Sequence, residues 1–323
     1  MRLWNVPPTQ RPPALRVLPE RFGYFMIAPD SRRAVTLAED YVVWDLNTGE
    51  KLETISALRG YQAGYDFTLD GRKLLAGGRN GKMRIWDFDK NELSEFVVGD
   101  DDEEVVAVRR LGATDFIATV HGLRTQRMFR TSRVKIWDFD KRQLKETTGL
   151  SGAEATVSAV SPQGKTATGH QDGRVTIWGQ AQTNFLAHPR MVVGAAFTPD
   201  GNTLATGGEE GTAKLWDVAT LREIGTLKGH LRSIHALDIS PDGQRLATAG
   251  GGDESVKLWD LRTHQELITL SGEGSMMNRL LFSPDGNKLV GLNSQGQLHI
   301  WRAPSREEIT AAEAKAKTET RQP

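Results

Sequence analysis

The stretch Gly211–His230, GTAKLWDVATLREIGTLKGH, decides the fold. An alternating apolar run ends on Trp216-Asp217, a short polar turn follows, and a second alternating run begins. Period-two runs of roughly four to eight residues between turn residues are strands rather than helices. The same juncture returns as YVVWDL (41–46), MRIWDF (83–88), RVKIWDF (133–139), RVTIWG (174–179), VKLWDL (256–261) and QLHIWR (297–302).

The seven tryptophans at these junctures, Trp44, Trp86, Trp137, Trp178, Trp216, Trp259 and Trp301, are separated by 42, 51, 41, 38, 43 and 42 residues. Six of the seven periods also carry a tight-turn sequence. These are APDS (28–31), TLDG (68–71), SPQG (161–164), TPDG (198–201), SPDG (240–243) and SPDG (283–286). Pro pre-sets the first central φ, Asp bonds its own backbone, and Gly accepts positive φ. A short apolar run stands before each turn, and another stands after it, followed by a Gly-rich bend and the strand that ends at Trp. Four strands in about 40 residues describe a propeller blade.

These repeated residues resemble those of the WD-repeat β-propellers, over Phe22 to Arg302. The resemblance implies an all-β fold of seven four-stranded antiparallel blades. In five repeats Asp follows Trp (Asp45, Asp87, Asp138, Asp217, Asp260), whereas Gly179 and Arg302 replace it in the fourth and seventh. The large ring is expected to fill the gap between neighbouring blades. In this family the Trp also ends a hydrogen-bonded chain with Ser/Thr, Asp and His. The matching residues are His230, Thr248, Asp253 and Trp259, and, with Glu in place of Asp, His188, Thr206, Glu210 and Trp216. The fourth repeat keeps Thr168, Asp172 and Trp178 and is read as offering no His. Such networks tie strands together and do not form a catalytic set.

The seventh blade draws only three strands from the C-terminal end, so the N-terminal segment, with the alternating Ala14–Glu20, is expected to donate the fourth. Trp4 then repeats a position already held by Trp301. Residues 1–13 are accordingly expected outside the ring, as the remnant of a longer repeat array, with the propeller spanning 14–302. Residues 303–323 open with Ser305 and Glu308 in capping-box spacing and predict a short helix that frays into a tail. That ending resembles bacterial WD-repeat regions.

Composition narrows the function. Lys+Arg and Asp+Glu both number 41, a balance that argues against bulk attraction to nucleic acid or anionic membrane. The chain has no cysteine, which removes thiolate nucleophiles, disulfides and cysteine-held zinc, and fits a reducing cytoplasm. The N-terminus is no secretory signal, and no window approaches the roughly 18 apolar residues of a membrane span. AVSPQGKT (159–166) falls one glycine short of a phosphate-binding loop and lies in a hairpin turn rather than before a helix. The seven histidines show no metal-ligand spacing, and there is no G-x-S-x-G elbow. The reading is of a non-enzyme without cofactor or metal.

The longest interval, between Trp86 and Trp137, holds a basic loop, HGLRTQRMFRTSRVK (121–135), with Arg124, Arg127, Arg130 and Arg133 around Met128 and Phe129. Upstream, GDDDEE (99–104) supplies five consecutive acids on the same blade. The two loops either neutralise each other or, with Arg and Phe as anchors, form a docking site. Family resemblance places further partner contacts at the lead-in to each first strand. The residues there are Tyr61, Arg190, Arg232 and Met276, with Arg79 in the second blade's bend. The leading expectation is a monomeric, cytoplasmic, non-catalytic scaffold whose top face and rim bind a protein or peptide. The alternative is a propeller that binds a small molecule or performs chemistry at its channel mouth. That is disfavoured by the mostly apolar or small inner-strand sequences GAAFT (194–198), IHALDI (234–239) and NRLLFS (278–283).

Overall fold

Alternating side chains bury one face of a strand and leave tight turns to reverse it, and 28 strands form in this way among the described residues. The computed structural model describes residues 14–18, 22–59, 64–111, 115–122, 132–150, 155–178, 182–250, 256–270 and 276–303. These residues form seven four-stranded antiparallel sheets, the blades of a β-propeller. Blades one to six occupy residues 24–55, 65–97, 103–150, 155–186, 192–228 and 234–270, with strands in sequential order. Blade seven takes three strands from residues 277–302, and its fourth is the N-terminal strand Ala14–Val17, with Ala14 opposite Arg302 and Val17 opposite His299. The segment at 1–13 and the expected tail helix lie outside the described residues.

The chain packs as two compact units. One carries blades one to three and most of blade four, and the other carries blades five to seven with the N-terminal strand. Within each unit the cores form where consecutive blades meet. Trp86 packs in a cluster with Val35, Tyr41 and Val43 of blade one. Trp259 packs with Ala205, Ala213 and Leu215 of blade five, and Trp301 with Ala247 and Leu258 of blade six. In these three blades the indole thus seals the blade against the one before it.

The aspartate after Trp has a separate, local task. Asp45 accepts hydrogen bonds from the N–H groups of Asn47 and Thr48, Asp217 from Thr220, and Asp260 from Arg262 and Thr263. Each carboxylate therefore shapes the turn from the third strand to the fourth. Four residues on from the aspartate the backbone is left-handed each time, at Gly49, Asn91, Arg142, Leu221 and His264. The first-to-second-strand turns are equally uniform. Gly71, Gly201, Gly243 and Gly286 sit at φ 68–69°, and Ser31 adopts the same conformation in blade one.

Inside each blade the indole N–H needs a partner. Trp44, Trp178, Trp216 and Trp259 donate to Thr36, Thr168, Thr206 and Thr248 at 2.8, 3.0, 2.9 and 2.7 Å. In blades two and three the residue at that register position is Ala76 or Ala118, fully buried, and the Nε1 atoms of Trp86 and Trp137 are buried without a partner. A buried unsatisfied donor costs about 1–3 kcal/mol. Ala76→Thr should therefore raise stability by about 1 kcal/mol, since the same threonine fits the same site in four other blades; chemical denaturation would measure it. Trp259→Ala should lower stability by about 3–5 kcal/mol in the same assay, by opening a cavity between blades five and six.

Candidate functional site

In an antiparallel blade the lead-in to the first strand and the loop between second and third strands emerge at the same end. Close backbone packing holds these loops together. In blade four, Gly173 accepts hydrogen bonds from the N–H groups of Ala187 and His188 ahead of blade five. Gly173 has φ +80°, and a Cβ there would collide with the His188 carbonyl. In blade five, a Cβ on Gly211 would lie 2.5 Å from the Arg232 carbonyl. The loop end is therefore a fitted frame, with its side chains free to vary outward.

Below this frame lie polar relays. Trp216 donates to Thr206, Thr206 lies 2.8 Å from His188 Nε2, and His188 Nδ1 lies 2.5 Å from Glu210. These partners fit a neutral imidazole with its proton on Nδ1, donated to Glu210. Burial pushes the His188 pKa below its usual value although the Glu210 carboxylate opposes this. Thr248 lies 2.7 Å from His230 Nε2 in blade six, and Asp253 falls outside the described residues. In blade four the expectation of no histidine is corrected. His170, two residues along the second strand from Thr168 and so on the same face, bonds Thr168 and Thr176 at 3.2 and 3.0 Å. Asp172 instead accepts from the Arg174 N–H in an exposed turn. The i, i+2 spacing of Thr168 and His170 was the available signal.

Of the expected contact residues, Arg79, Arg190 and Arg232 are exposed at the loop ends of blades two, five and six, and Met276 is half-buried ahead of blade seven. Tyr61, Arg124, Arg127, Phe129 and Arg130 lie outside the described residues. A residue that sequence reasoning passed over stands beside Arg232: Leu231 is 90% exposed, the most exposed of the large apolar side chains described. A second apolar set marks the rim, where Leu52, Leu93, Leu144 and Ile224 are exposed at the second position of their outer strands.

The acidic and basic segments of blade three meet in part. Glu103 is buried and pairs with Lys135 at 2.8 Å and Arg133 at 3.4 Å, and it accepts the Asp100 N–H. Burial pushes the Glu103 carboxyl up, and these partners more than offset it, holding it below the usual range. Asp101 and Asp102 remain exposed.

The first strands are less uniformly apolar than their sequences in blades five to seven suggested. In the unit that carries blades one to three, the Arg109 Nη2 donates to the Tyr24 hydroxyl at 2.6 Å, with the guanidinium over the Tyr24 ring. Asp66, on the blade between them, accepts from the N–H groups of Phe67 and Arg110. Burial opposes the charge on Arg109, and the fields of Tyr24 and Asp66 more than offset it. In the other unit Asp238 plays the role of Asp66, accepting from the Phe282 N–H at 2.7 Å. It is half-buried rather than facing solvent, and burial pushes its pKa up to about 7. Among the described residues no group of acids and histidines is placed to hold a metal ion, and no helix is long and apolar enough to cross a membrane.

Comparison with known proteins bears on the repeat. A family model described as WD domain, G-beta repeat matches residues 179–217 and 221–260. Each match takes the outer strand of one blade and three strands of the next. The Serine-threonine kinase receptor-associated protein of Gallus gallus is 27% identical over 242 residues, covering 68% of this chain and 61% of that protein. Autophagy-related protein 16 of Arabidopsis thaliana is 24% identical over 192 residues, 58% of this chain and 36% of the relative. Eukaryotic translation initiation factor 3 subunit I of Nematostella vectensis is 25% identical over 208 residues, 62% of each chain. The chain therefore matches about three-fifths or less of the length of these relatives. The comparisons support a WD-repeat family and give no support to the bacterial likeness of the C-terminal ending.

Protonation of Asp238 supplies a pH test. A carboxyl with a raised folded pKa favours the folded state fully below about 4, and that contribution is lost as pH rises toward about 7. Asp238→Asn should therefore gain melting temperature relative to the parent between pH 4 and pH 7, with little further change above, when thermal unfolding is followed across that range.

Proposed function

We propose that this WD-repeat propeller is a non-catalytic platform that holds a protein or peptide partner on the loop end of its blades and on its rim. The observation that carries this reading is Leu231, 90% exposed beside Arg232 on a lead-in clamped from beneath by Gly211. An exposed leucine beside an arginine offers a partner apolar area next to a residue type enriched in interface hot spots, and a stiff frame loses little freedom on binding. In the unit of blades five to seven Arg190 and Met276 extend this surface, with Ile224 exposed on an outer strand, and in the other unit Arg79 at the loop end and Leu52, Leu93 and Leu144 on the outer strands form a candidate surface of their own. Arg124, Arg127, Phe129 and Arg130 belong to the same proposal, since Glu103 already takes up Arg133 and Lys135. The names of two relatives support it, one for its association with a receptor and one as a subunit of a larger factor. A cytoplasmic location, a monomeric state and the absence of catalysis are parts of this reading.

The test is affinity capture from the source cytoplasm with three baits, each checked for folding by circular dichroism. One is the intact chain, one carries Leu231→Asp with Arg232→Glu, and one carries Arg124→Glu, Arg127→Glu and Arg130→Glu. A partner retained by the intact bait and lost with the first variant supports the lead-in surface. Loss with the second variant assigns the contact to the basic loop. Identical captures by all three remove both surfaces from the proposal.

A further inference from the structure

Arg109 is a partly buried cation that makes no ion pair among the described residues. A guanidinium carries five donors, and two are used here: Nη2 to the Tyr24 hydroxyl at 2.6 Å and Nη1 to the Val108 carbonyl at 2.9 Å. The carboxylate whose field acts on it, Asp66, has one oxygen on the Phe67 N–H and the other on the Arg110 N–H, which spreads its charge into the backbone. Arg110 follows it on the strand, so its side chain leaves from the opposite face, and its buried, unpartnered Nη1 belongs to that other face. The Arg109 guanidinium is left with unused donors beside a carboxylate already bound to the backbone. The Tyr24 ring packs edge-on against Tyr65 at 4.9 Å, and the Tyr65 hydroxyl donates toward backbone carbonyls of blade one. The aromatic wall that positions Arg109 is therefore fixed before any ligand arrives.

We propose that the Arg109 guanidinium and the Tyr24 hydroxyl form a binding site for an oxyanion, a carboxylate or phosphate group, on the first strands of blades one to three. Charge and geometry both select this class. A guanidinium fork takes two oxygens of a planar or tetrahedral anion in parallel charge-assisted bonds, whereas its charge repels a metal cation and its bonds to a neutral acceptor are weaker. Partial burial strengthens those bonds relative to water. The site is built from strands rather than lead-in loops, so it stands or falls separately from the platform surface at Leu231.

Isothermal titration of the full chain with inorganic phosphate, and separately with acetate, tests the site. Saturable binding of one anion is expected, weakened at least tenfold by Arg109→Gln and measurably by Tyr24→Phe. The phenylalanine variant keeps the ring against Tyr65, so it remains informative should the glutamine variant fail to fold. The order of the two anions tells a phosphate site from a carboxylate site. Absence of saturable binding with either anion overturns the proposal, and so does unchanged affinity in a folded variant.

Discussion

The contact of a third-strand indole with the blade before it, made by Trp86, Trp259 and Trp301, is the constraint on which the core of each unit depends. A four-stranded blade cannot bury both of its faces alone, and its neighbours must cover them. The ring of Trp86, Trp259 or Trp301 supplies much of that cover, and each sits in a cluster drawn from two consecutive blades. Placing so large a ring inside has a consequence at its polar edge, because the indole N–H must find an acceptor away from water. A threonine on the second strand provides it in four blades, and a histidine lies next to that threonine in three of them. The alanines of blades two and three leave that edge unsatisfied.

This hierarchy explains why histidines and acids that resemble a relay for chemistry have a structural task. Burial lowers the His188 pKa against the pull of Glu210, and its two nitrogens are occupied by Thr206 and Glu210. A general base needs a lone pair that a substrate can reach, and His188 presents none. What is exposed at the loop ends of the individual blades is Arg79 in blade two, Arg190 ahead of blade five and Leu231 with Arg232 ahead of blade six, carried on backbone pinned by glycines that tolerate positive φ. Rigid frame and variable loop are separate parts of the same repeat.

The charged segments of blade three follow the same separation. Glu103 lies within the fold and takes Lys135 as a buried partner, while Asp101 and Asp102 stay in solvent. A run of five acids in the sequence is therefore two different things in space. One member organises a loop through the Asp100 N–H, and others form an exposed acidic edge.

The sequence by itself determined the blade. Trp at intervals of about 40 residues, Pro-Asp-Gly turns and period-two runs each have a local cause, and together they fix strand number and order. The aspartates after Trp were equally legible, since an Asx turn acts within four residues. Two things were decided only in three dimensions. His170 shares a face with Thr168 by its spacing, but that its ring also reaches Thr176 on the third strand and so takes part in the relay is decided by the pairing of the strands. Tyr24, Asp66 and Arg109 come from three different blades, 42 and 43 residues apart. Nothing local links such residues. Only the stacking of successive first strands, each repeat adding one, brings a tyrosine, a carboxylate and a guanidinium side by side.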